Sequence, residues 1–303
     1  MQALLDARAD LPPATSVAEE RANWSRYALA LAVPPPADMS VDDRVLQTAE
    51  RPVTVRVYRP AGAARGSLPG LIYLHGGGFM KGDLDSSDSV AWGFAEQAQA
   101  VVISVDYRLT PEHPYPAAFD DAYAVTAHVA RNAADFGIDP TRLGIAGDSA
   151  GGNLAAATCL AARDRNGMRL RCQVLVYPGT GLDQVGGSYD EHANAFGLST
   201  ENTRRYRDYY LPDDPETRDP YARPVLAEDL SDLPVAWVHS AEMDPIRDDG
   251  RVFASKLALA GTEVHYREAK GMIHGFMRAR FKGAAAAAEY DAICNFMRQQ
   301  LHG

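Results

Sequence analysis

The sequence predicts an α/β fold with a mainly parallel sheet. Short apolar runs rich in β-branched residues recur along the chain, and segments of helical periodicity alternate with them. The first strand falls at 53–58, where Val53, Val55 and Val57 alternate with polar neighbours, as a strand with one polar face requires. The short runs 71–74, 101–105, 143–146, 174–177 and 235–238 are predominantly apolar, which suits parallel strands buried on both faces. A last strand-like segment covers 263–268. Helical periodicity appears at 117–130 and 154–162, and again in Val252, Phe253, Leu257 and Ala260 before the stop at Gly261. Residues 284–297 have the composition of a C-terminal helix. In a sheet of this kind the functional groups gather beyond the carboxyl ends of the strands.

Two stretches fall outside the alternation. Residues 1–45 combine a helix-like segment around Trp24, Tyr27 and Leu31 with a Pro34-Pro35-Pro36 run that cannot continue a helix. Residues 180–232 are polar and rich in Gly, Tyr and Asp, and are expected to form helices and loops outside the main sheet.

The bulk composition bounds what the chain can do. With 303 residues, 46% hydrophobic and 23% charged, it can bury one large core. A net charge of −10 argues against nucleic acid and against anionic lipid as partners. No apolar run approaches the roughly 20 residues of a membrane span, and the first residues do not read as a signal peptide. Cys159, Cys172 and Cys294 are odd in number and widely spaced, which favours packed, reduced thiols over disulfides or a zinc site. A soluble, cytoplasmic protein is the expectation.

The chemistry concentrates at strand ends. The run 143–146 leads into Gly147-Asp148-Ser149-Ala150-Gly151-Gly152-Asn153 and then a helix, which is G-x-S-x-G in the strand–turn–helix setting that exposes a nucleophile. Glycine at 147 and 151 would relieve crowding around Ser149. The competing reading is a plain small-residue turn. At the end of another strand, His75-Gly76-Gly77-Gly78-Phe79 offers backbone N–H groups to a developing oxyanion. It lacks the spacing of a phosphate or dinucleotide loop, and His75 has no second histidine at ligand spacing, so no metal is expected. A serine hydroxyl needs a base, and His274 lies in a loop after the strand-like 263–268, whereas His239 and His265 fall inside strands. Asp244 follows the run 235–238 and would be the acid that orients the base; a helix N-cap before Pro245 is its rival role, and Glu242 and Asp248 are alternative acids. The order Ser149, Asp244, His274 is that of nucleophile, acid and base in α/β-hydrolases.

These residues resemble the bacterial hormone-sensitive-lipase-like esterases of family IV. The resemblance is carried by residues 75–79, 106–114 and 147–153, by Asp244-Pro245-Ile246-Arg247-Asp248, and by His274-Gly275-Phe276. Asp148 places the chain in the subgroup with Asp before the nucleophile, and Thr110 stands where the family usually has Ala. The resemblance implies an α/β-hydrolase fold, with an eight-stranded, mostly parallel sheet in residues 46–303. It also implies a helical cap made of residues 1–45 and an insertion at about 180–232. Gly77, Gly78 and Ala150 would supply the oxyanion-hole amides, and residues 106–114 would support the site structurally. The expected activity is hydrolysis of short- to medium-chain acyl esters of small molecules, with no cofactor. Some family members dimerise, so a homodimer is a further expectation.

Other hydrolases on the same machinery, a non-enzymatic binding protein and a long-chain lipase are the competing functions. An intact set of three residues disfavours the second, and the polar composition of 180–232 disfavours the third. Trp24, Tyr27, Phe79 and Phe196 are candidates for the substrate pocket and equally for packing within the cap.

Overall fold

The computed structural model describes residues 2–62 and 68–303. Within them one sheet contains β1 Ser40–Gln47, β2 Pro52–Arg59, β3 Leu68–Leu74, β4 Val101–Val105, β5 Ile138–Asp148, β6 Cys172–Val176, β7 Val235–Met243 and β8 Val264–Ile273. The spatial order is β1-β2-β4-β3-β5-β6-β7-β8. β2 pairs antiparallel with β1 and β4, and the remaining pairs are parallel. The helices are α1 Gln2–Ala9, α2 Val17–Leu31, α3 Asp88–Ala98, α4 Ala117–Arg131, α5 Ala150–Asp164, α6 Ser188–Glu191, α7 Thr200–Tyr210, α8 Arg247–Leu259 and α9 Ala284–His302.

The apolar strands are buried on both faces because alternate side chains serve two cores. Ile72 and Leu74 point with Ile103, Ile145 and Leu175 toward α4, α5 and α8, meeting Val125, Leu154 and Phe253. Leu71 and Tyr73 point the other way with Val102 and Val174, toward α3 and α9, meeting Phe94, Tyr290 and Met297. Each such side chain contributes about 1.5–3 kcal/mol on full burial, so the centre of the sheet is held from both sides. The three cysteines are buried and free, and burial raises their thiol pKa values.

β1, α3 and the short α1 lie outside the sequence expectations. β1 crosses the boundary placed at residue 45: Ser40 to Gln47 pair with Arg59 to Pro52, so the sheet begins at Ser40. It is an edge strand with only Leu46 buried, and Asp42, Asp43 and Arg44 give it no apolar alternation. α3 is invisible to periodicity for the opposite reason, since Val90, Ala91, Trp92, Gly93, Phe94 and Ala95 are all buried.

The remaining helices lie over the carboxyl ends of the strands. α2 starts with a capping box in which Ser16 Oγ accepts from Glu19 N and the Glu19 carboxylate accepts from Ser16 N. Arg21 of α2 donates to the carbonyls of Met80 and Thr110 and forms a fork with Glu112, which ties α2 to the loops after β3 and β4. Glu20 accepts two bonds from Arg205 of α7, joining the N-terminal segment to the 180–232 segment. No helix among the described residues is long and apolar enough to cross a membrane.

Candidate active site

β5 ends at Asp148, α5 begins at Ala150, and Ser149 between them has φ +55° and ψ −117°. A non-glycine residue there carries backbone strain of about 1–3 kcal/mol, tolerated only where the surroundings fix it. Here Ser149 N donates to Val176 O at 2.9 Å, and Ser149 O accepts from Asn153 N at 3.2 Å. The flanking glycines relieve crowding within the turn, as expected, and at Gly151 also against β3. A Cβ on Gly147 would lie 2.0 Å from Gly151 O, and a Cβ on Gly151 would lie 1.9 Å from Leu74 O. At Gly147 the turn around Ser149 is crowded against its own far side, and at Gly151 helix α5 is crowded against β3. Because both clashes are with backbone, Gly147→Ala should destabilise the protein by about 1–3 kcal/mol or more, read as a lowered denaturation midpoint at unchanged m-value.

The loop after β3 carries the glycine run. Asp148 Oδ1 accepts from Gly76 N at 2.8 Å and from the Tyr73 hydroxyl at 2.7 Å, pinning the start of the run to the residue before Ser149. His75 is fully buried and stacks on Tyr107 at 4.3 Å, and the Tyr107 hydroxyl donates to His75 O. Burial lowers the His75 pKa and so keeps its ring neutral. Thr110 N donates to Phe79 O at 2.8 Å, so the 106–114 stretch braces this loop from behind. Sequence reasoning did not assign the anchoring role of Asp148; its only signal was an acid in an otherwise small-residue turn.

The candidate base and acid arrive from neighbouring strands. Asp244 follows the last residue of β7 and His274 follows the last residue of β8. His274 Nδ1 is 2.7 Å from Asp244 Oδ2, and His274 Nε2 is 2.9 Å from Ser149 Oγ. Asp244 is fully buried, and its Oδ1 accepts from Ile246 N at 3.0 Å. The rival role of Asp244 is thus partly real: one oxygen holds the turn before α8 while the other faces the imidazole. The alternative acids face elsewhere. Asp248 accepts from Ser188 N at 2.9 Å and pairs with Arg247 and Arg251, and Glu242 accepts from Gly271 N at 2.7 Å. His239 lies in β7 with Nε2 3.0 Å from Glu289, away from the serine.

Ser149 and Gly78 lie between two cavities. The larger, about 90 Å³, is lined by Phe79, Ala150, Leu182, Leu198, Tyr210 and Leu211 among others, and is mostly apolar. The smaller, about 30 Å³, is lined by Gly77, His274, Tyr177, Trp24 and Tyr27 among others. Of the aromatic pocket candidates, Phe79 therefore faces the first cavity, Trp24 and Tyr27 face the second, and Phe196 lines neither. A carboxylate facing Nδ1 keeps the proton on that nitrogen, which leaves Nε2 free to accept from the serine hydroxyl. The arrangement can make an alkoxide-like nucleophile beside backbone amides.

A family model described as the alpha/beta hydrolase fold matches residues 71–278. The chain belongs to the α/β-hydrolase family. Within that family its relatives are esterases of the hormone-sensitive-lipase-like kind. It is 41% identical over 253 residues to a carboxylesterase, NlhH, of Mycobacterium tuberculosis, covering 82% of this chain and 79% of the relative. It is 38% identical over 269 residues to an esterase, LipI, of the same organism, covering 88% and 84% of the two chains. Among solved structures, an esterase of Pyrobaculum calidifontis superposes with a TM-score of 0.88 at 35% identity, covering 96% of this chain and 97% of that one. Each of these matches covers more than four fifths of this chain, so the likeness extends well beyond the motifs.

Proposed function

We propose that this α/β-hydrolase is a carboxylesterase that acts through Ser149, His274 and Asp244. The observation that carries the reading is the unbroken hydrogen-bonded chain from Ser149 Oγ through both imidazole nitrogens to a buried carboxylate, at 2.9 and 2.7 Å. Ser149 Oγ attacks the ester carbonyl carbon, its proton passes to His274 Nε2, and the carbonyl electron pair moves onto oxygen. Asp244 holds the imidazolium. The N–H groups of Gly77, Gly78 and Ala150 receive the oxyanion; among the described residues none of the three has a hydrogen-bond acceptor outside helix or strand ladders. Collapse breaks the bond to the alcohol oxygen, which takes the proton from His274. Water then repeats the sequence on the acyl-enzyme.

The helices of residues 1–45 and 180–232 act as a cap, since α2 and α7 cover the strand ends and are joined by Glu20 and Arg205. The apolar cavity of about 90 Å³ beside Ser149 suits a short to medium acyl chain. Hydrolysis of p-nitrophenyl esters from acetate to palmitate tests this, with activity expected to peak at short or middle chains. A maximum at palmitate would overturn the acyl-size reading, and no turnover of any ester by folded protein would overturn the esterase reading.

A further inference from the structure

The smaller cavity has a chemistry that generic ester hydrolysis does not require. Its charged lining residues are Arg8, Lys81 and Arg278 against one carboxylate, Asp148. That carboxylate is already engaged by Tyr73 and Gly76 N. Arg278 is almost fully buried, donates one nitrogen to Ser86 O, and leaves Nη2 buried without a hydrogen-bond partner among the described residues. Trp24 Nε1, on the same wall, is also buried without one. Arg8 donates to Gly197 O at 3.2 Å and has no ion pair among the described residues. Lys81 donates to the Tyr206 hydroxyl at 2.6 Å, while Glu20 stays 3.9 Å away and is itself gripped by Arg205. Aromatic faces hold the cations in place: Arg8 over Tyr27 at 4.4 Å, Lys81 over Tyr206 at 4.9 Å and Arg278 over Trp24 at 4.7 Å.

The wall thus presents spare donors and spare positive charge, in a protein of net charge −10. Unpaired buried donors are costly, and a ligand acceptor that meets them recovers the cost. The space of about 30 Å³ suits a group of carboxylate size. His274, which must hand its proton to the departing alcohol, lines this cavity and not the larger one. We infer that this cavity receives a carboxylate borne on the alcohol portion of the ester, so that the preferred substrates are acyl esters of small hydroxy acids. The inference rests on the esterase reading and refines its substrate class.

The test compares acetoxyacetate with acetoxyacetamide, which share an acyl group and differ in the charge of the leaving alcohol, by acetate release at low substrate concentration. Wild-type protein should favour acetoxyacetate in kcat/KM by about tenfold, the scale of one charge-assisted hydrogen bond. Lys81→Met and Arg8→Gln should each bring that ratio toward one. A wild-type ratio at or below one, with p-nitrophenyl acetate still hydrolysed, overturns this inference alone. A preference that persists undiminished in both variants also overturns it. Failure of folded wild type on p-nitrophenyl acetate overturns the esterase reading beneath it.

Discussion

Replacing Ser149 with alanine should lower kcat on p-nitrophenyl acetate by about 10⁶-fold, the scale seen when the nucleophile of such a triad is removed. The substitution deletes one oxygen whose side-chain hydrogen bond is to His274 Nε2. It leaves the backbone bonds of residue 149 to Val176 and Asn153 unchanged. Alanine and serine are comparably strained at φ +55°, so the denaturation midpoint should move little. That separation gives the experiment its force, because a large loss of rate without a loss of fold points to chemistry rather than structure. A residual acceleration of roughly 10³–10⁴ over water is expected from backbone amides and binding alone. A folded alanine variant within about tenfold of wild type would remove Ser149 from the mechanism.

The parts of this molecule that were legible in the sequence are those where local chemistry and global position agree. Leu71 to Leu74 and Val101 to Val105 read as buried parallel strands because both of their faces meet apolar helices. Gly147 and Gly151 could be singled out because nothing larger fits; Gly147 avoids the nearby Gly151 backbone, whereas the Leu74 carbonyl that Gly151 avoids belongs to a distant part of the chain and could not be guessed. β1 was missed because its stability comes from pairing with β2 rather than from burial, and pairing leaves no mark on side-chain pattern. Asp148 shows the same limit within the site. Its bonds to Tyr73 and Gly76 N couple the turn at Ser149 to the glycine loop across two strands, and no local signal reports a contact between positions so far apart. The cations Arg8 and Lys81 likewise share a cavity wall only because α1 and the loop after β3 converge over His274.

Asp244→Asn should reduce kcat by about 10⁴-fold, and the structure says why an isosteric change does so much. Asp244 Oδ1 accepts from Ile246 N, and an asparagine keeps that bond only by placing its carbonyl oxygen there. The amide nitrogen must then occupy the position of Oδ2, 2.7 Å from His274 Nδ1, where it can donate but not accept. His274 is driven to carry its proton on Nε2, the nitrogen that has to accept from Ser149 Oγ, so the base is present but in the wrong tautomer. The loss should fall on kcat more than on KM, because neither cavity wall changes. Asp248→Asn is the matched control. Its carboxylate serves Ser188 N, Arg247 and Arg251 rather than the imidazole, so it should cost about 1–2 kcal/mol of stability and little rate. A crippled Asp248→Asn beside an active Asp244→Asn would mean that His274 is oriented by a different acid in the working enzyme. Equal and severe loss in both would instead implicate the shared turn before α8, since Asp244 Oδ1 and the Ser188 contacts of Asp248 brace the same few residues.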